Sequence, residues 1–247
     1  MTRSCHHGDI NDQNNLEAAL RVADEFPEID VYEIDFVCDG KRIVSSHDYN
    51  SKMIECGSEL EKWIDAIVVG RGKILWIDVK QNLDFYFAWS YGTFDALSMF
   101  ARLAEARLKW GSDVMNRRIW IGCQDVALRE QIMALCQSDD WPFILDIPTI
   151  SGYIMKCLTP HCLTPKLPTF IEKQMRHTDY QHEDIISIDR SFFSGPKELK
   201  RFVVSLHLRP GVTIVLNSFP RTQQPIHIED HRIVMQYDYT TMTTEEK

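Results

Sequence analysis

The stretch 30-DVYEIDFV-37 decides the fold, because it is a β-strand pattern that carries two carboxylates. Valine, isoleucine, tyrosine and phenylalanine are enriched in strands. Side chains two positions apart in a strand point to the same side, so Glu33 and Asp35 share one face. A charge in such an apolar strand is costly unless it is paired or bound to a metal. The stretch therefore predicts a strand with a functional site at its carboxyl end.

The rest of the chain alternates strand patterns with amphipathic helical patterns, of which residues 15–25 and 94–110 are the clearest. This alternation, in a chain of 247 residues, predicts a single (β/α)8 TIM barrel over residues 1–239, followed by a tail at 240–247. The predicted strands cover residues 2–5, 30–37, 73–79, 118–124, 141–147, 184–189, 212–217 and 232–237.

Other polar residues of the first 80 positions fall at the ends of the same strands. His6 ends the first strand, and Asp78 and Lys80 lie at the end of the third. Asp39-Gly40 is typical of a tight turn, which makes a small hairpin that carries His47 back toward the second strand's end. Because a barrel builds its active site at the carboxyl ends of its strands, we expect these residues to share one rim.

The residue types on this rim indicate one chemistry. Oxygen ligands suit a hard divalent cation, and Glu33, Asp35 and Asp78 supply them for one Mg²⁺ or Ca²⁺ ion. The two imidazoles, His6 and His47, can act as base and acid on either side of a phosphorus atom. Metal-assisted cleavage of a phosphodiester needs this combination.

Composition excludes some classes of partner. The 36 acidic and 27 basic residues give a formal charge of -9, which argues against a general nucleic-acid binder and against docking on anionic membranes. Seven cysteines without dense spacing indicate reduced thiols in a cytoplasmic protein. Neither a signal peptide nor a transmembrane segment is expected from the sequence. The expected partner is a small-molecule phosphodiester, and protein partners and oligomeric state stay open.

The order and spacing of short motifs in the N-terminal third resemble the glycerophosphodiester phosphodiesterase family, part of the phospholipase C-like phosphodiesterase superfamily of TIM barrels. The remainder of the chain matches that family only in its architecture. The motifs are His6-His7-Gly8, Asn15-Leu16, Ala18-Ala19, Glu33-Ile34-Asp35, Asp39-Gly40, Ile43-Val44, His47-Asp48 and Asp78-Val79-Lys80.

The resemblance implies a role for each motif residue. It makes His6 and His47 the general acid/base pair and Lys80 a lysine near the phosphate. It makes Glu33, Asp35 and Asp78 the metal ligands. The family hydrolyses glycerophosphodiesters to glycerol 3-phosphate and an alcohol, with magnesium or calcium bound.

The chain departs from the family pattern in ways that bear on its substrate. His7 stands where the family has an arginine, which removes a bidentate fork of phosphate donors, and is either a phosphate contact or a plain loop residue. The Pro-Glu-Asn-Thr signature before the first helix lacks its proline and glutamate. Asp78 replaces the commoner glutamate, as in sphingomyelinase D-like phospholipases and menorin-like proteins. These departures indicate a divergent branch.

Two other functions stay open. A sphingomyelinase D-like phospholipase would form a cyclic phosphate by intramolecular attack. A catalytically inactive barrel would bind a phosphorylated ligand or a protein. Retention of both histidines, the three carboxylates and Lys80 argues against the inactive barrel.

Overall fold

The structure, a computed structural model, describes residues 2–6, 14–38, 42–46, 57–79, 96–115, 118–123, 143–146, 185–189, 195–205, 208, 210–219 and 231–238. The chain divides into two compact units. The first comprises Thr2–Phe143 with Asp238–Lys247, and the second comprises Ile144–Tyr237. The single domain over residues 1–239 and the tail at 240–247 stay predictions.

The first unit contains a parallel sheet in the order β1-β2-β4-β5. A short strand, β3, pairs antiparallel with the end of β2, with Val37 opposite Val44. This pairing confirms the predicted hairpin, although its turn at Asp39-Gly40 lies outside the described residues. The strands are β1 (Thr2–His6), β2 (Ile29–Cys38), β3 (Ile43–Ser45), β4 (Ile74–Val79) and β5 (Ile119–Cys123).

The sheet of the second unit is also parallel, and its strands pair in chain order. They are β6 (Phe143–Asp146), β7 (Ile185–Asp189), β8 (Thr213–Phe219) and β9 (Arg232–Asp238). Every one of the eight predicted strands is therefore confirmed, and the bounds differ by at most two residues among the described positions.

The helices of the described residues include α1 (Leu16–Glu25), which begins where the sequence predicts. Asn15 is its N-cap, and the Asn15 side chain accepts a hydrogen bond from the Ala18 N–H at 3.1 Å. The others are α2 (Leu60–Trp63), continued by a π-helix (Ile64–Val69), then α3 (Ala96–Trp110), α4 (Ser112–Met115) and α5 (Pro196–Ser205). No described helix has the length and apolar character needed to cross a membrane.

The start of α2 has a different cap from the pattern that the sequence suggests. Ser58 with Glu61 three residues later is a capping-box pattern, but Glu59 is the N-cap and makes no side-chain capping bond. Ser58 instead pairs with β3, because its carbonyl accepts from the Ser45 N–H and its own N–H donates to the Ser45 Oγ. Pairing with the strand thus keeps Ser58 outside the helix.

The strand β2 is buried on both faces. Phe36 contacts Trp63 of α2 edge to face, with ring centroids 6.4 Å apart, so the face shared by Tyr32, Ile34 and Phe36 packs toward that helix. Glu33 and Asp35 point to the opposite face and are buried as well. The apolar packing on the helix side therefore fixes the face on which the two carboxylates stand.

Candidate functional site

Three carboxylates lie on one face of two neighbouring strands. The register of the parallel pair β2 and β4 places Asp35 opposite Asp78, and Glu33 stands two residues before Asp35. Residues opposite each other in this register point to the same side of the sheet. The exposed fractions of Glu33, Asp35 and Asp78 are 7%, 0% and 3%. The structure thus brings the predicted metal ligands to one buried face.

Burial makes these carboxylates expensive to keep ionised. Desolvation of a carboxylate is costly, and neighbouring negative charges add repulsion to that cost. A cation shared by the side chains would offset both terms, and three oxygen-donor groups are the set that a hard divalent cation prefers. The donor chemistry of Glu33, Asp35 and Asp78 therefore fits Mg²⁺ or Ca²⁺.

The three carboxylates do not enclose a common point among the described residues. Within the part of the chain that the structure describes, no three His, Cys, Asp or Glu side chains stand close enough together to hold a metal ion. The three carboxylates share a face and a register, but they would have to move toward one another to coordinate one cation.

Asn14 forms hydrogen bonds with Asp35, one of the three carboxylate residues. The Asp35 N–H donates to the Asn14 Oδ1 at 3.0 Å, and the Asn14 Nδ2 donates to the Asp35 Oδ2 at 3.1 Å. The carbonyl of Asp35 accepts from the Ser46 N–H at 2.9 Å. Backbone and carboxylate of Asp35 are therefore both held by residues far away in the sequence.

A second layer of hydrogen bonds supports Asn14. The Ser45 Oγ donates to the Asn14 carbonyl at 2.7 Å and accepts from the Ser58 N–H at 3.0 Å. Ser45 is buried, so this hydroxyl uses its donor and an acceptor position where water has little access. The segment before α1, the strand β3 and the segment before α2 are joined at one point.

The remaining predicted site residues are only partly described. His6 is the last residue of β1, and its backbone lies one step beyond Cys5, which is opposite Tyr32 of β2. His7, His47 and Lys80 lie outside the described residues. Their described neighbours in sequence do belong to this region, since Ser46 binds the Asp35 carbonyl and Val79 ends β4.

Asn14 and Ser45 are two residues of the site that the sequence pattern did not predict. The only signal for Asn14 was a second asparagine directly before the helix cap Asn15. Nothing in the sequence distinguishes Ser45 from its neighbour Ser46, which is buried as well. Both residues act through contacts with distant segments, which periodicity does not reveal.

The sequence and the structure differ in what they match among known proteins. No protein-family model matches the sequence, and no curated protein matches it significantly. The structure is similar to a glycerophosphodiester phosphodiesterase from Agrobacterium tumefaciens, with a TM-score of 0.56, 14% identity, and coverage of 96% of this chain and 95% of that one.

Further solved structures show the same similarity. A phosphodiesterase from Oleispira antarctica, solved in complex with the product sn-glycerol-3-phosphate, gives a TM-score of 0.54 at 13% identity, covering 95% of this chain and 93% of that one. A glycerophosphodiester phosphodiesterase from Parabacteroides distasonis gives 0.52 at 10% identity, covering 95% and 92%. At such low identity the similarity concerns the fold. The chain therefore has the (β/α)8 TIM-barrel fold of the glycerophosphodiester phosphodiesterases, which confirms the fold predicted from its strand and helix pattern.

Proposed function

We propose that the protein is a metal-dependent phosphoric diester hydrolase acting on a glycerophosphodiester-like or phospholipid-headgroup-like substrate. The observation that carries the proposal is the buried pair Asp35 and Asp78, opposite each other on neighbouring strands with Glu33 on the same face. Such a carboxylate group is a poor choice for stability, because buried like charges oppose folding. Its presence in a fold shared with phosphodiesterases supports a catalytic use.

In this proposal Glu33, Asp35 and Asp78 hold one Mg²⁺ or Ca²⁺ ion. The ion, when bound, supplies electrostatic stabilisation of the charge that develops on the non-bridging phosphate oxygens. Lys80 adds a fixed positive charge near the phosphate, and His7 contacts the phosphate in place of the family's arginine.

Proton transfer falls to the two histidines. Either His6 or His47 takes a proton from the attacking water while the water oxygen forms its bond to phosphorus. The other histidine gives a proton to the oxygen of the leaving alcohol while the bond between that oxygen and phosphorus breaks. The products are a phosphomonoester and a free alcohol, and water supplies all the atoms added.

The test is turnover on a panel of phosphodiesters, followed by ³¹P nuclear magnetic resonance with Mg²⁺ or Ca²⁺ present. Glycerophosphocholine, glycerophosphoethanolamine, lysophosphatidylcholine and sphingomyelin cover the two substrate classes. We expect a phosphomonoester signal that grows only with the metal present and stops when a chelator is added. Metal binding without turnover on any member of the panel would favour the inactive barrel.

The aspartate at position 78 supports a second candidate, a sphingomyelinase D-like reaction. There a hydroxyl of the substrate itself would attack phosphorus, and the headgroup alcohol would leave. The product would be a cyclic phosphate, which has its own ³¹P chemical shift. Appearance of that signal in the same panel would replace hydrolysis as the proposed reaction.

We further propose that the enzyme acts in the cytoplasm. The odd number of cysteines, 7, and the absence of disulfide-type spacing support this location. Imaging of a tagged full-length chain in cells would test it, and secretion into the medium would contradict it.

A further inference from the structure

At Asp35, the backbone N–H on one edge of β2 is paired with a side chain. Among the described residues, β1 pairs with this strand as far as Tyr32, and β3 pairs with it from Phe36 onward. Between these two pairings the Asp35 N–H donates to the side chain of Asn14 instead of a neighbouring strand. At this proposed metal ligand, a side-chain amide therefore takes the place of a neighbouring strand as the hydrogen-bond partner of the backbone N–H.

The geometry allows only one orientation of the Asn14 amide. The Asp35 N–H is a donor, so the atom that faces it must be the amide oxygen. The Asp35 carboxylate is an acceptor when ionised, so the atom that faces it must be the amide nitrogen. A flipped amide would oppose donor to donor and acceptor to acceptor. Both contacts thus act together to fix the carboxylate relative to its own backbone.

Asn14 is itself held by a hydrogen bond to its backbone carbonyl. Its carbonyl accepts from the Ser45 Oγ, which also receives the Ser58 N–H. A side-chain amide whose own backbone is hydrogen-bonded in this way can orient a carboxylate, whereas an amide on a mobile segment would follow it.

We propose that Asn14 is a positioning residue that orients the Asp35 carboxylate on the face it shares with Glu33 and Asp78, where the carboxylate would take part in binding the divalent cation. This inference rests on the proposed function, in which Asp35 is a metal ligand. The physical reason is that groups bonded to a ligand fix its orientation, and their removal typically weakens metal affinity by about 10- to 100-fold. Asn14 acts through Asp35 and has no proton-transfer role of its own.

The test compares Mg²⁺ binding to the full-length protein and its variants by isothermal titration calorimetry, without substrate. Asn14→Ala removes both contacts with Asp35, and we expect its Kd for Mg²⁺ to rise by about 10- to 100-fold. Asn15→Ala is the matched control, because it removes the same residue type one position away and affects only the helix cap. We expect its Kd to equal that of the unmodified protein.

A second variant guards against a folding defect in Asn14→Ala. Asn14→Ser keeps a single hydroxyl in place of the amide oxygen and nitrogen, and we expect an intermediate Kd. Circular dichroism and thermal unfolding of each variant establish that it is folded at the titration temperature. At saturating Mg²⁺ the turnover of Asn14→Ala should approach the unmodified value, since the variant keeps every ligand.

The outcomes separate this inference from the proposed function. If the unmodified protein binds neither Mg²⁺ nor Ca²⁺, the proposed metal site itself fails. If it binds Mg²⁺ and folded Asn14→Ala and Asn14→Ser bind it equally well, only the positioning role is overturned. An equal loss of affinity in Asn15→Ala would also overturn it, because the effect would then follow from general destabilisation.

Discussion

Asp35 of β2 and Asp78 of β4 stand opposite each other in the sheet register, and both side chains are buried. On paired strands, opposite side chains on one face are near neighbours, so two carboxylates here repel each other when both are ionised. A fold selected only for stability would place apolar side chains at such positions, as it does at Ile34 and Ile77 one residue earlier. Asp35 and Asp78 are therefore the first residues to replace in a test of function.

Replacing either aspartate should strongly reduce metal-dependent turnover. We expect Asp35→Asn and Asp78→Asn to lower turnover by about 10²-fold or more, because loss of a ligand should exceed the effect of losing an outer contact. Asp30→Asn is the matched control on the same strand, since Asp30 is half-exposed and lies 3.6 Å from the Lys73 Nζ. Steady-state assays of the three variants check this, and equal losses in all three would contradict a specific role.

Metal binding should stabilise the folded protein. A ligand that binds only the folded state at 100 times its Kd adds about 2.7 kcal/mol to the free energy of unfolding. We expect Mg²⁺ or Ca²⁺ at that excess to produce this increase in urea unfolding experiments. The increase should disappear in Asp35→Asn and persist in Asp30→Asn. Stabilisation that survives in Asp35→Asn would place the cation elsewhere.

The two histidines should affect catalysis and leave metal binding intact. We expect His6→Ala and His47→Ala each to lower turnover by about 10²-fold or more, which is the usual contribution of a general acid or base. Calorimetry with Mg²⁺ should give nearly the same Kd as the unmodified protein, because neither imidazole is a proposed ligand. Near-normal turnover of either variant on the true substrate would refute its assignment.

The cap of α1 can be tested without any substrate. Asn15→Ala should lower the free energy of unfolding by about 1 kcal/mol, within the range found for loss of an N-cap side chain. Asn15→Asp is the control, because its carboxylate still accepts from the Ala18 N–H and also favours the helix N-terminus. Urea unfolding of the pair measures the difference, and equal stability of both variants would contradict the capping role.

The elements predicted correctly from the sequence are those with a local cause. The strand β2 is an apolar run between turn residues, and Asn15 precedes the amphipathic helix α1. Glu33 and Asp35 share a face because of the two-residue period of a strand. Each of these features follows from the local sequence, without contacts to distant segments.

Two of the features that the sequence did not predict depend on distant partners. Ser58 follows a helix-start pattern, yet its backbone pairs with Ser45, which lies 13 residues earlier. Asn14 contacts Asp35 across 21 residues of sequence. The π-helix Ile64–Val69 buries Ile64, Ile67 and Val68, and the helix pattern of the sequence contains no sign of its wider turn. Long-range contacts decide the cases of Ser58 and Asn14.

Asn14 and Asn15 are adjacent, but one binds a strand and the other begins a helix. Their spacing therefore sets the rotational phase of α1 relative to β2. One residue inserted between them would turn the buried face of the helix by about 100°, given 3.6 residues per turn, or would pull Asn14 away from Asp35. Insertions ahead of Asn14 leave that phase unchanged. Changes in the length of the segment between β1 and α1 should accordingly be tolerated only on the β1 side of Asn14.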